Sequence, residues 1–123
     1  MIDCNNVLVL AYIGDAVYEV YIRNYLIKKN IVKVDKLQKE AVKYVSAKSQ
    51  RVFLEKLINQ NFFNQEEIAI IKRSRNHKGN RHPKNTDIIT YKLATGLEAL
   101  FGYLFLEKRY DRIKELMDLI VGE

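Results

Sequence analysis

Two stretches of this chain are apolar on almost every side of a helix, and each carries an acid near its centre. From Val7 to Ile27 there is no proline and few polar positions. A helix that is hydrophobic all round belongs in an interior rather than on a surface. Asp15 interrupts this run, with Gly14 immediately before it. The second run, Thr90 to Leu106, has Glu98 as its one central carboxylate and Gly102 four residues further on. Residues four apart share a helix face. Glycine inside a helix costs about 1 kcal/mol against alanine, so a packing reason is expected for both glycines. The pattern predicts two largely buried helices that cross closely and bring Asp15 and Glu98 together.

The rest of the chain reads as shorter helices. Asn5 or Asn6 is placed to cap the first helix, which runs to about Lys29, and Asn30 is a natural stop. Val34, Leu37, Ala41, Val42 and Val45 recur at helical spacing opposite a solvated face of Lys36, Lys39, Glu40 and Lys43. Ser46 or Ser49 caps a third helix through about Gln60, with Val52, Phe53 and Leu57 inward. Asn61 to Phe63 reads as a turn, and Asn64 with Glu67 resembles a capping box opening a fourth helix that carries Ile68, Ile70 and Ile71. From Ser74 to Asn85 the helical period is lost, with Gly79, Asn80, Pro83 and Asn85 as breakers. Thr86 or Asp87 caps the Glu98 helix, which extends to about Lys108. Tyr110, Ile113, Leu116, Met117 and Ile120 outline a last amphipathic helix. There is no alternating strand and no hairpin signal. The expectation is an all-α fold of about six helices, one domain over residues 1–123.

Charge changes this picture at one place. The net charge is +6, and the segment from Lys72 to Lys84 holds Lys72, Arg73, Arg75, Lys78, Arg81 and Lys84 with no acid. The other basic residues equal the acids in number, so the whole net charge resides in this segment. A concentrated basic patch on a neutral body points to a polyanion partner. A twelve-residue loop in so small a domain is usually functional. Cys4 is the only cysteine, so no internal disulfide forms, which fits a thiol-reducing cytoplasm. No positively charged leader precedes the first apolar run, and Asp15 and Glu19 interrupt it, so it reads as core and not as a membrane span.

Two facing carboxylates repel unless a cation sits between them, and oxygen ligands with partial hydration suit Mg²⁺. The alternative is a hydrogen-bonded Asp in a core, satisfied by Arg23 or a lysine. Glu19 lies one turn beyond Asp15 and is expected to pair with Arg23 at i,i+4. His77 and His82 flank Gly79 without cysteines or a second histidine pair at zinc spacing, and are read as loop donors to phosphate.

Tyr-Ile-Gly-Asp15-Ala-Val-Tyr-Glu resembles the signature of the ribonuclease III nuclease domain, and Gly-Leu-Glu98-Ala-Leu-Phe-Gly resembles that family's second motif. Tyr44 to Gln50, Lys72 to Asn76 and Pro83 to Asp87 look like the short branch called Mini-ribonuclease III. The resemblance covers nearly the whole chain, in order. It implies an all-helical fold, Mg²⁺-dependent hydrolysis of double-stranded RNA and a homodimer. For the short branch it implies trimming of the large-subunit (23S) ribosomal RNA precursor, with a ribosomal protein as a candidate partner on that substrate. Larger members carry acids seven and four residues before the aspartate, where this chain has Leu8 and Ala11, and an Asp three before the glutamate, where it has Thr95. They also append a double-stranded RNA-binding domain, for which this sequence leaves no room.

On this reading Asp15 and Glu98 are the catalytic, metal-holding pair, with water and RNA phosphate as the remaining ligands. The ion activates a water and stabilises charge on the phosphate and the leaving 3′ oxygen. Lys72, Arg73, Arg75, Asn76, Lys78, Arg81, Lys84 and Asn85 are the expected RNA contacts. Two rivals remain. A catalytically silent RNA-binding scaffold of the same fold would keep the basic loop. A helical module binding an acidic partner explains the charge but not paired acids inside apolar helices.

Overall fold

The structure is a computed structural model that describes residues 6–79 and 82–122. Cys4, the alternative cap Asn5, and Asn80 and Arg81 of the basic segment lie outside the described residues. Six helices follow in order: α1 (Val7–Lys28), α2 (Val34–Val45), α3 (Ala47–Asn59), α4 (Gln65–Arg75), α5 (Ile88–Leu106) and α6 (Tyr110–Val121). The fold is all-α, and no strand occurs among the described residues. Its helix starts are chemically explicit. Asn6 accepts from the Val9 N–H, Ser46 from Ser49 and Asp87 from Thr90, and Asn64 with Glu67 forms a complete capping box. Asn30 and Asn61 take left-handed backbone angles where α1 and α3 have ended, a conformation asparagine tolerates better than most residues.

Helix α5 is the axis of the core, with twelve of its 19 residues buried, and α1 lies against it. At their crossing Gly14 sits on the Glu98 carbonyl and Gly102 on the Leu10 carbonyl. A β-carbon at either glycine would overlap that oxygen. The glycines thus let two backbones meet with no side chain between. Tyr18 closes the junction from below. It is fully buried, its ring stands edge-on to Phe101 at 5.1 Å, and its hydroxyl donates to the Tyr44 carbonyl at 2.6 Å. That bond ties α1 to the end of α2.

Helix α4 meets α5 through small residues too. Ser74 is buried and donates to the Lys92 carbonyl at 2.9 Å, beside Gly96. The other end of α4 is pinned by α6. Glu67, 1% exposed, takes two hydrogen bonds from Arg112, at 2.7 and 2.8 Å. The same guanidinium reaches the Phe62 carbonyl and lies 4.0 Å from the Phe62 ring centroid. Burial by itself would raise the Glu67 carboxyl, but the Arg112 bonds and the backbone N–H of Asn64 outweigh it and hold the group below its usual range.

Four expectations are corrected. Helix α1 is not buried all round: Leu8, Tyr12, Ala16 and Val20 form an open stripe, with Tyr12 83% exposed. On α3 the fully buried positions are Gln50, Leu54 and Leu57, with Phe53 half-buried against the core, while Val52 points outward. That stripe keeps the i, i+4, i+7 period with an amide in its first place, so a reading of apolar residues alone misses its phase. Ser74 and Arg75 belong to α4, so the irregular segment begins at Asn76. Helix α5 ends at Leu106 and not near Lys108, which takes a left-handed angle.

Gly102→Ala forces the α1 backbone away from α5 and is expected to cost about 3 kcal/mol or more, by the standard of overpacked interiors. Gly96→Ala meets only ordinary contact with Ser74, at 3.5 Å. It should cost less than about 1 kcal/mol or stabilise through helix propensity. Thermal unfolding of the two variants checks the contrast.

Candidate active site

The α1–α5 crossing places the chemistry. Because Gly14 touches the Glu98 carbonyl, the next residue of α1, Asp15, is delivered to the Glu98 side chain. The two carboxyl groups lie within hydrogen-bonding reach. Burial first, and then Asp15, push the Glu98 carboxyl up to about 8, and Glu19 adds to the effect. Asp15 stands on the exposed edge of the junction and Glu98 half-buried within it, so the pair opens toward solvent. Arg23 does not satisfy Asp15. It pairs with Glu19 at 2.9 Å along the helix surface.

One partner of this pair was not singled out from sequence. Gln50 of α3, 2% exposed, directs its Nε2 at Glu98 Oε2, 3.5 Å away, and favours the charged carboxylate. The cue available in sequence was an amide standing where α3 should carry an aliphatic residue. Tyr18 lies nearby. Burial and the Glu98 charge hold its hydroxyl well above its ordinary pKa, so it stays neutral.

A divalent cation suits this donor set. The groups are hard oxygens, their mutual repulsion is the kind a cation relieves, and the solvent-facing edge leaves room for water and phosphate oxygens. No group of three or more His, Cys, Asp or Glu side chains converges on one point among the described residues. The positions where larger family members carry acids hold none. Leu8 and Thr95 line a hollow of about 270 Å³ with Ser74, His77 and Lys92, and Ala11 is buried.

The basic segment divides between two elements. Lys72, Arg73 and Arg75 are exposed on the last turn of α4, where cations also favour the helix C-terminus. Asn76 caps that helix, and Lys78, Lys84 and Asn85 are exposed beyond it. The loop histidines make local bonds. His77 Nδ1 accepts the Gly79 N–H at 3.2 Å, and His82 Nδ1 lies 3.0 Å from the Pro83 carbonyl. Asp87, the acid nearest the loop, stays exposed and accepts from the Thr90 N–H and hydroxyl, which keep its carboxyl below the usual range.

Residues 8–109 match the ribonuclease III domain. The chain belongs to the ribonuclease III family and is an endoribonuclease of that class. It is similar to the Mini-ribonuclease 3 of Staphylococcus aureus, 47% identical over 94% of this chain and 87% of that one. The Mini-ribonuclease 3 of Clostridium tetani is 46% identical over 95% of this chain and 77% of its own length. A crystal structure of a Fusobacterium nucleatum protein superposes with a TM-score of 0.82 at 33% identity, covering 94% of this chain and 91% of that one. Within its family the chain falls in the Mini-ribonuclease 3 branch.

The Glu98 shift has a defined sign. Its folded pKa lies above the ordinary glutamate value, so between that value and about 8 the folded state holds a proton that the unfolded state has released. Stability therefore falls as pH rises through this window. Without divalent cation, Glu98→Gln is expected to flatten this slope and raise the melting temperature at pH 8 by a few degrees, with little gain near pH 4. Calorimetry at the two pH values measures it.

Proposed function

We propose that Asp15 and Glu98 hold Mg²⁺ for hydrolysis of double-stranded RNA, and that residues 1–123 act as one nuclease domain working as a homodimer. The observation that carries this is the carboxylate pair formed at the glycine crossing, with Glu98 lifted toward neutrality by its burial and by Asp15. Bound there, Mg²⁺ supplies Lewis-acid stabilisation of the phosphate charge and lowers the pKa of a water. The protein's own part is geometric. The α1 and α5 backbones, locked through Gly14 and Gly102, fix where the two acid side chains leave the helices, side by side toward the solvent edge. Water oxygen then adds to phosphorus, and the P–O3′ bond breaks with the 3′ oxygen taking up a proton.

Duplex RNA is bound through phosphates and 2′-hydroxyls, for which lysine and arginine suffice. Lys72, Arg73, Arg75, Lys78, Arg81 and Lys84, with Asn76 and Asn85, serve as that surface and compensate for reduced machinery elsewhere. The open stripe of Leu8, Tyr12, Ala16 and Val20 runs beside Asp15. Covering it with a second copy buries apolar area and puts two acid pairs in one assembly, one for each strand. The branch resemblance directs the activity to the 23S ribosomal RNA precursor in the cytoplasm, with a ribosomal protein shaping the substrate. No helix among the described residues is long and apolar enough to cross a membrane. A silent RNA-binding scaffold accounts for the basic surface but not for an acid pair that costs stability.

Purified protein incubated with a defined duplex is expected to cut only with Mg²⁺ and to leave staggered ends, as paired sites require. Asp15→Asn should abolish cleavage while the duplex still binds. Cleavage at the native rate by that variant refutes the assignment.

Six neutralised phosphates give a slope of about −5 for log affinity against log salt, if the duplex-DNA coefficient carries over. Changing Arg73, Arg75, Lys78 and Arg81 together to Gln should flatten it by about 3 to 4. Filter binding over a salt series reads the change, and an unaltered slope removes these residues from the interface.

A further inference from the structure

Helix α3 turns Gln50, Leu54 and Leu57 inward, the spacing of an ordinary aliphatic stripe. Its first member is an amide, buried as fully as the leucines around it. A buried amide without a partner costs about 1–3 kcal/mol in proteins, so a leucine or methionine would pack there more favourably unless the amide is used. Its use is visible. Nε2 is aimed at Glu98 Oε2 across 3.5 Å, joining α3 to the acid on α5. Among the described residues Gln50 is the group whose hydrogen bond favours the charged Glu98, while the hydrogen bond and charge of Asp15 and the charge of Glu19 oppose it.

We propose that Gln50 is a positioning residue for Glu98: its buried amide donates to Oε2 and holds the carboxylate in the orientation that lets it share a cation with Asp15. The inference rests on the reading of Asp15 and Glu98 as the metal-holding pair. The backbone junction fixes where the Glu98 side chain starts, but its carboxyl still rotates, and repulsion from Asp15 favours a swing out of the shared orientation. An amide anchored on a neighbouring helix resists that swing and shortens the rearrangement on loading. The separation of 3.5 Å is long for a charge-assisted bond, so the amide orients the carboxylate more than it binds it. Groups that orient metal ligands in this way typically contribute ten- to a hundredfold in metal affinity.

The test is direct Mn²⁺ binding, read by electron paramagnetic resonance without RNA, on the full chain and its Gln50→Met, Gln50→Asn and Asp15→Asn variants, with melting temperatures in parallel. Methionine keeps the length and volume of Gln50 but cannot donate. Asparagine keeps the amide but withdraws it by one methylene. Expected are a native melting temperature or higher for Gln50→Met and a ten- to hundredfold weaker Mn²⁺ affinity for both Gln50 variants. If Gln50→Met does not fold, Gln50→Asn alone decides. Native Mn²⁺ affinity in a folded Gln50 variant, with binding lost in Asp15→Asn, overturns the role of Gln50 and leaves the metal pair standing. Native affinity in Asp15→Asn overturns the metal pair itself.

Discussion

The backbone contact between α1 and α5 governs this molecule. Two helices ordinarily keep their axes 8–10 Å apart because side chains fill the gap. Here a glycine on each helix removes the side chain at the point of contact, and each glycine rests on a carbonyl of the opposite strand of chain. The locations of Asp15 and Glu98 follow from that contact. A carboxylate placed by a backbone junction is held more firmly than one placed by side-chain packing, because the helices cannot slide without breaking contact at two places.

The junction also creates an electrostatic debt. Bringing two acids into one half-buried corner is unfavourable, and Glu98 answers by holding its proton to a pH far above the ordinary glutamate range. The surroundings do little to relieve it. The arginine of α1 is engaged with Glu19, and among the described residues the hydrogen bond that favours a charged Glu98 comes from a neutral amide. A fold shaped only by stability would place a lysine or a leucine there. Strain of this kind, kept where packing could have removed it, is characteristic of working sites.

The helices and much of the site were legible in the sequence because their signals are local. Asn6, Asn64 with Glu67, and Asp87 are caps recognisable within four residues, and the structure uses all of them. The acids and glycines could be matched because each sits in a long apolar run, where a polar or side-chain-free position stands out. What escaped depends on contacts between distant elements. Gln50 keeps the period of the Leu54 and Leu57 stripe, but what its amide meets shows only when α5 is placed beside it. Ser74 and Arg75 resemble the start of a loop until the Ser74 hydroxyl finds the Lys92 carbonyl. The open stripe on α1 is as apolar as its buried face, so composition cannot say which side the core takes.

The clamp of Arg112 on Glu67 has a mechanical side. It grips α4 at its first turn, whereas the basic side chains sit on the last turn, about 8–12 Å further along the axis. A tilt of about 5° at the grip moves that end by up to roughly 1 Å over such a length, and the Ser74 bond to the Lys92 carbonyl resists the same motion from the other side. The guanidinium, bidentate on the carboxylate and stacked on Phe62, resists rotation in a way that a lysine ammonium does not. Leverage thus makes a residue clamped at the opposite end of α4 a determinant of where the cationic surface points.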